Sequence, residues 1–206
     1  MSDNMTANVT SLEPRARRKP ESLARLKQAA RQLFVERGYD ATRPQDIARE
    51  AGLGHGTFYL HYPDKRACFL AFVEDARQEL DDHVHARRVD GATLEQRIAT
   101  TLNAMYDYSD SHPGVLRAAL TDEQMIDAEG VAVRPLLMQW GDEWAQMIRA
   151  AADEGSACSS YDAQIIGQAI VGALHQTGRE AHGASRCRQA LVENLTRFLT
   201  RALKPD

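Results

Sequence analysis

A chain of 206 residues with 43% apolar and 26% charged content has enough core for one large or two small domains, which excludes a disordered chain. Its three cysteines, Cys68, Cys158 and Cys187, are widely spaced with no Cys-x-x-Cys, so neither a disulfide framework nor a zinc site is expected. The net charge of −4 conceals an asymmetry: 11 Lys and Arg stand against 8 Asp and Glu up to Lys65, and 14 against 21 beyond it, a positive head on an acidic body.

Residues 1–20 are polar and carry Pro14 and Pro20, which predicts a flexible arm ending in Arg15-Ala-Arg17-Arg18-Lys19. That cluster is either an arm that tracks phosphates, through Arg17 and Arg18, or a solvated charge run. From Glu21 to Arg37, Leu26, Ala29, Ala30, Leu33 and Phe34 form one helical stripe, and Gly38 ends it. Thr42 with Gln45 is read as a capping box beside Pro44, opening a short helix that stops at Gly52. After the turn Gly52-Leu53-Gly54, a second short helix over about His55 to Tyr62 buries Phe58 and leaves His55, Gly56, Thr57, Tyr59 and His61 to point elsewhere. Two short helices joined by a glycine-bearing turn form a helix-turn-helix, the unit that reads a DNA major groove.

Beyond Pro63, Asp64 caps a longer helix with Phe69, Phe72, Val73, Ala76, Leu80 and Val84 on one side. Thr93 caps another that carries Ile98, Leu102, Met105 and Tyr106, and a short helix follows from Val115. A long helix bears Trp140, Trp144, Met147 and Ile148, another bears Ile166, Ala169, Ile170 and Leu174, and the last bears Leu191, Leu195 and Phe198. The fold class is therefore all-α: an N-terminal three-helix domain over 21–66, then a larger helical domain over 67–206. No run prefers strand.

The stretch Thr42 to Lys65 resembles the DNA-binding domain of the TetR family of bacterial transcriptional regulators. Thr42, Ile47-Ala48, Ala51-Gly52, Gly56-Thr57, Tyr59, His61 and Lys65 follow that family's pattern, and Ala29-Ala30, Leu33-Phe34 and Gly38-Tyr39 agree upstream. Gly54 departs from it, standing where the family has a capping Ser. The resemblance implies that Arg43 and Gln45 meet the DNA backbone, that His55 and Gly56 approach bases, and that Thr57, Tyr59, His61 and Lys65 hold phosphates. It also implies a cytoplasmic, ligand-responsive regulator, most simply a repressor released from pseudo-palindromic operator DNA by a small apolar or amphipathic effector.

Two further expectations join residue pattern to that resemblance. Ile166, Gly167, Ile170, Leu174, Leu191, Leu195 and Phe198 are assigned to a homodimer interface, against the reading that they only close the monomer's core. Met105, Tyr106, Trp144, Met147, Gln168 and His175 are assigned to an effector cavity, against the reading that they are packing. No enzyme, cofactor or metal is expected: Gly52-Leu-Gly54-His-Gly56 follows no strand, His83 and His85 are two apart, and Gly-x-Ser-x-Gly and His-Glu-x-x-His are absent. The rival reading is a helical sensor or enzyme that keeps the fold without specific DNA binding.

Overall fold

The computed structural model describes residues 13–121, 134–184 and 187–205, with side chains over 19–121, 134–178 and 187–205. Among them the structure is helical throughout: α1 Glu13–Arg37, α2 Pro44–Glu50, α3 His55–Tyr59, α4 Lys65–His85, α5 Leu94–Ser111, α6 Val115–Ala119, α7 Leu136–Asp153, α8 Ala163–Ala184 and α9 Arg188–Ala202. The chain divides into two compact units, the first ending at Phe72 and the second beginning at Val73, so α4 belongs to both.

In the first unit the stripe of α1 is the core: Leu26, Ala29, Ala30, Leu33 and Phe34 are all buried. Phe34 meets Phe69 edge-on at 5.1 Å and Phe72 at 5.6 Å, a packing that favours the ring quadrupoles as well as burial. α1 starts at Glu13, which corrects the expected arm for residues 13–20. Pro14 lies in the first turn, where the missing N–H would be unpaired anyway, and Pro20 removes one hydrogen bond from a helix with many others. The side chains of Arg17 and Arg18 lie outside the described residues.

Thr42 does not cap α2. It is fully buried, and its hydroxyl donates to the carbonyls of Gly38 at 2.8 Å and Leu33 at 3.3 Å, tying the loop to the end of α1. The reason is Pro44. A proline forces the residue before it into extended backbone, so Arg43 takes the cap position with φ −118° and no side-chain cap bond. Gly52, with φ +64°, makes the left-handed turn after α2 that a side chain would resist. Arg25 of α1 donates to the Gly52 carbonyl at 3.2 Å and holds that turn in place.

In the second unit, α5 opens on a complete capping box. The Gln96 N–H donates to Thr93 Oγ1 at 3.3 Å, and the Thr93 N–H donates to Gln96 Oε1 at 2.8 Å. Replacing Thr93 by Ala is expected to cost about 1 kcal/mol in urea unfolding, with an unchanged m-value, because one orphan N–H loses its acceptor. Farther along α5, Tyr108 is buried and its hydroxyl donates to Glu79 Oε2 of α4 at 2.8 Å. Arg188 at the start of α9 is paired to Asp107 and Asp110 of α5, which fixes α9 against α5.

α7 and α8 pack at close range. A Cβ on Gly167 would clash with the Gly141 carbonyl oxygen and come within 2.7 Å of the Ala145 nitrogen, so the crossing requires glycine. Gly167, Ile170 and Leu174 are therefore turned into the chain's own core, which corrects their assignment to a dimer interface. α8 is apolar nearly all round, so its sequence did not say which stripe faced α7. The stripe left outside is Ile165, Ala169, Gly172 and Ala173, with Ile165 66% exposed. On α9, Phe198 is 63% exposed while Leu191 and Leu195 are half-buried. Ile166 is half-buried as well.

Candidate functional site

The two short helices of the first unit present one polar face. Phe58 is completely buried and Tyr62 nearly so, their rings 5.6 Å apart, and together they anchor α3 to its unit. That anchoring leaves His55 and Gly56 exposed, Thr57 half-buried and Tyr59 half exposed. The His55 and Tyr59 rings meet edge-on at 5.2 Å, one helical turn apart, so they form a single ridge. Gly54 caps α3 with extended backbone and no side-chain bond. Nothing lies within 4 Å of where a Gly56 Cβ would sit, so the notch beside the ridge is open. Arg43 and Gln45, at the start of α2, are exposed.

His61 and Lys65 are engaged differently from the expected pair of phosphate holders. His61 Nε2 lies 2.8 Å from the Ser22 hydroxyl of α1, and burial, with Lys19 nearby, holds its imidazole below the ordinary histidine range. Lys65 donates to the Tyr39 carbonyl at 3.0 Å with its ammonium 4.0 Å from the centre of the Tyr39 ring. Both side chains brace the unit. Leu60, 73% exposed beside Tyr59, went unremarked in the sequence because the expected helix ran on through Tyr62. α3 ends at Tyr59, and Leu60 is left at its open end.

The second unit holds a cavity of about 60 Å³ between α4, α5 and α7. Met105, Trp144 and Met147 line it, and Trp140, Leu80 and Val84 complete its apolar wall. Tyr106, Gln168 and His175 do not line it. Tyr106 is held above the ordinary tyrosine range by burial, offset in part by a hydrogen bond with Thr177 of α8. Gln168 fills the space left by the missing side chain of Gly141 and donates to the Met138 carbonyl at 2.9 Å. His175 lies half-buried on α8. The absence of a side chain at Gly141 leaves the room on α7 that Gln168 takes.

One wall of the cavity is charged, and the sequence reading missed it. Asp81 of α4 and Glu143 of α7 both line the space. Arg77 pairs with Asp81 and with Glu74 and stands 3.7 Å from Glu143. Burial and then the neighbouring Asp81 carboxylate push the Glu143 carboxyl up to about 7, and burial raises Asp81 too. The folded chain thus holds a proton on Glu143 more tightly than the unfolded chain does. Its contribution to stability is present below the ordinary value of 4.5 and is lost as pH rises through about 7. Calorimetry is expected to show the melting temperature falling from about pH 5 to about pH 8, with a shallower fall in Glu143→Gln; the side chain is 45% exposed, so the difference is only about 1 kcal/mol.

Among the described residues, no group of His, Cys, Asp and Glu could hold a metal ion, and no helix is long and apolar enough to cross a membrane. None of the three cysteines is in a disulfide, and Cys68 and Cys158 are buried.

Residues 26–72 match the sequence model of the bacterial regulatory proteins, tetR family. The chain is 37% identical over 46 residues to the uncharacterized HTH-type transcriptional regulator YuxN of Bacillus subtilis, covering 22% of this chain and 16% of that protein. It is 26% identical over 147 residues to the HTH-type transcriptional regulator EthR of Mycobacterium tuberculosis, covering 68% of this chain and 66% of that one. Among solved structures it is similar to the fatty acid degradation regulator FadR of Bacillus halodurans, with a TM-score of 0.71 at 18% identity over 88% of this chain and 95% of that one. The match to YuxN thus spans less than a fifth of that relative's length, and the likeness to FadR is one of fold.

Proposed function

Since this chain belongs to the tetR family of bacterial regulatory proteins, we propose that it is a dimeric repressor of transcription that releases operator DNA when a small apolar or amphipathic effector binds its second unit. The observation that carries the reading is the exposed row His55, Gly56 and Tyr59, with half-buried Thr57 among them, on a helix whose other face is locked by buried Phe58. A rigid helix that keeps its polar residues in solvent is built to be read from outside, and its open notch at Gly56 lets it approach a groove closely. Arg43 and Gln45 meet the backbone, His55 and Gly56 approach bases, and Thr57 and Tyr59 hold phosphates. Lys65 spends one donor on Tyr39 and has two more for phosphate, while His61 serves chiefly to position α3 against α1.

Two copies are needed to read two half-sites one helical turn apart. The free stripe of α8 and the exposed Phe198 of α9 form the surface they share. A charge there would have to be buried unpaired, so Phe198→Glu is expected to sediment as a monomer where the unaltered chain sediments as a dimer at micromolar concentration.

The effector cavity is lined by the second half of α4, and α4 begins at Lys65 in the first unit. An effector that favours one arrangement of α4 by about 1 to 3 kcal/mol weakens operator binding some 5- to 150-fold. The test is a gel shift with the DNA upstream of the chain's own operon. Retarded, sequence-specific complexes are expected, and DNA binding that is absent, or equally tight to unrelated sequence, would remove the reading.

A further inference from the structure

The cavity of the second unit has the chemistry of a receptor for a particular charge. Its carboxyl groups, Asp81 and Glu143, lie on facing helices and share a hydrogen bond, and the Arg77 guanidinium beside them is already paired to Glu74 and Asp81. The other charged groups that line the cavity with Glu143 are His85 at the end of α4 and Arg88 just beyond it, both exposed; α5 contributes uncharged Thr101 and Met105. Beside the carboxyls stand Trp140 and Trp144, whose ring faces attract cations, and Met105 and Met147, which adapt to irregular shapes. An independent feature is the indole of Trp140. It is 6% exposed, lines the cavity, and its N–H has no acceptor among the described residues. A buried donor left unpaired is costly, and here the missing acceptor is one that a ligand can supply.

We propose that the cavity binds a small organic cation, an alkylated ammonium held between Asp81, Glu143 and the two indoles, whose hydrogen-bond acceptor receives the Trp140 N–H. This rests on the reading of the cavity as the effector site and specifies its ligand class. At about 60 Å³ the space is smaller than an alkylated ammonium, so the ligand is seated by rotation of the two flexible methionines that line it. Carboxylate effectors are disfavoured, because they would bring a further negative charge to two acidic groups whose burial already resists ionisation.

A cation and a proton compete for Glu143. With that carboxyl pushed up to about 7, binding of a permanent cation releases a proton, and affinity rises about tenfold from about pH 6 to about pH 8.

The test is isothermal calorimetry on the full chain with three probes: acetylcholine, its uncharged isostere 3,3-dimethylbutyl acetate, and octanoate. Acetylcholine is expected to bind at least about tenfold more tightly than the neutral ester, with the pH dependence above, while octanoate binds weakly or not at all. Glu143→Gln is expected to weaken that preference and flatten the pH profile, and the double variant Asp81→Asn, Glu143→Gln to abolish the preference. Trp140→Phe is expected to weaken both esters alike, because both present the same carbonyl. No binding of acetylcholine, equal binding of its neutral isostere, tighter binding of octanoate, or a preference that survives loss of both carboxylates in the Asp81→Asn, Glu143→Gln double variant would overturn the proposal. The titrations contain no DNA, so they read the cavity alone. A chain that binds acetylcholine but whose operator complex is unmoved by it keeps the cation site and loses the regulatory reading.

Discussion

Replacing Gly56 by Glu is expected to weaken operator binding about 100-fold, about 2.7 kcal/mol, while the thermal midpoint of the chain stays level or rises slightly. The two effects have opposite signs because they arise on different surfaces. Toward the fold, position 56 is empty: no atom lies within 4 Å of a Cβ placed there, and Phe58 carries the packing of α3. Glycine is a poor helix former, so any ordinary side chain in α3 gains about 0.5 to 1 kcal/mol, and a carboxylate in the first turn also suits the helix dipole. Toward DNA, the same side chain fills the notch beside the His55 and Tyr59 ridge and brings a negative charge to a phosphate-lined groove. Gly56→Ala separates the terms. It should show most of the stability gain with a smaller loss of affinity, measured by gel shift at one fixed salt concentration and by differential scanning calorimetry. Equal loss of affinity in the two variants would mean that shape alone is at work. No loss in either would mean that α3 does not enter the groove.

How far the sequence could be read depended on whether local pattern or long-range packing set the outcome. The helix order was legible because capping and glycine signals act within a few residues: the Asp64 carboxylate accepts from the Ala67 N–H at 2.7 Å, Thr93 makes its capping box, and Gly155 turns the chain after α7 with φ +72°. Thr42 was misread because two local rules competed and the proline's restriction of its predecessor prevailed. The tertiary register of α8 was not legible at all. Its small and large apolar residues occur on every side, and only the position of Gly141 on another helix decides that Gly167 faces inward. The cavity was half legible for the same reason. Met105, Trp144 and Met147 stand out by size, whereas Asp81 and Glu143 read as ordinary helix-surface acids until α4 and α7 are seen to face each other.

The Gly167 contact yields the second large effect. Gly167→Ala adds a single methyl group, yet that carbon would clash with the Gly141 carbonyl oxygen and crowd the Ala145 nitrogen, both backbone atoms that cannot rotate away. The helices must separate, and overpacking of this kind is expected to cost about 3 kcal/mol, lowering the melting temperature by about 6 to 12 °C. Gly172→Ala is the matched comparison, since it lies on the same helix with nothing within 4 Å of its Cβ. In a monomeric chain the exchange should gain up to about 1 kcal/mol from helix propensity. If the free stripe of α8 pairs with its copy, the added methyl group at Gly172 instead meets the partner, and the change appears in the dimer dissociation constant rather than in the monomer's fold. Running both variants in the Phe198→Glu background, where pairing is expected to be lost, assigns each effect to its surface. The Gly167 penalty should persist there, because its contact is made within one chain. Any Gly172 penalty should vanish.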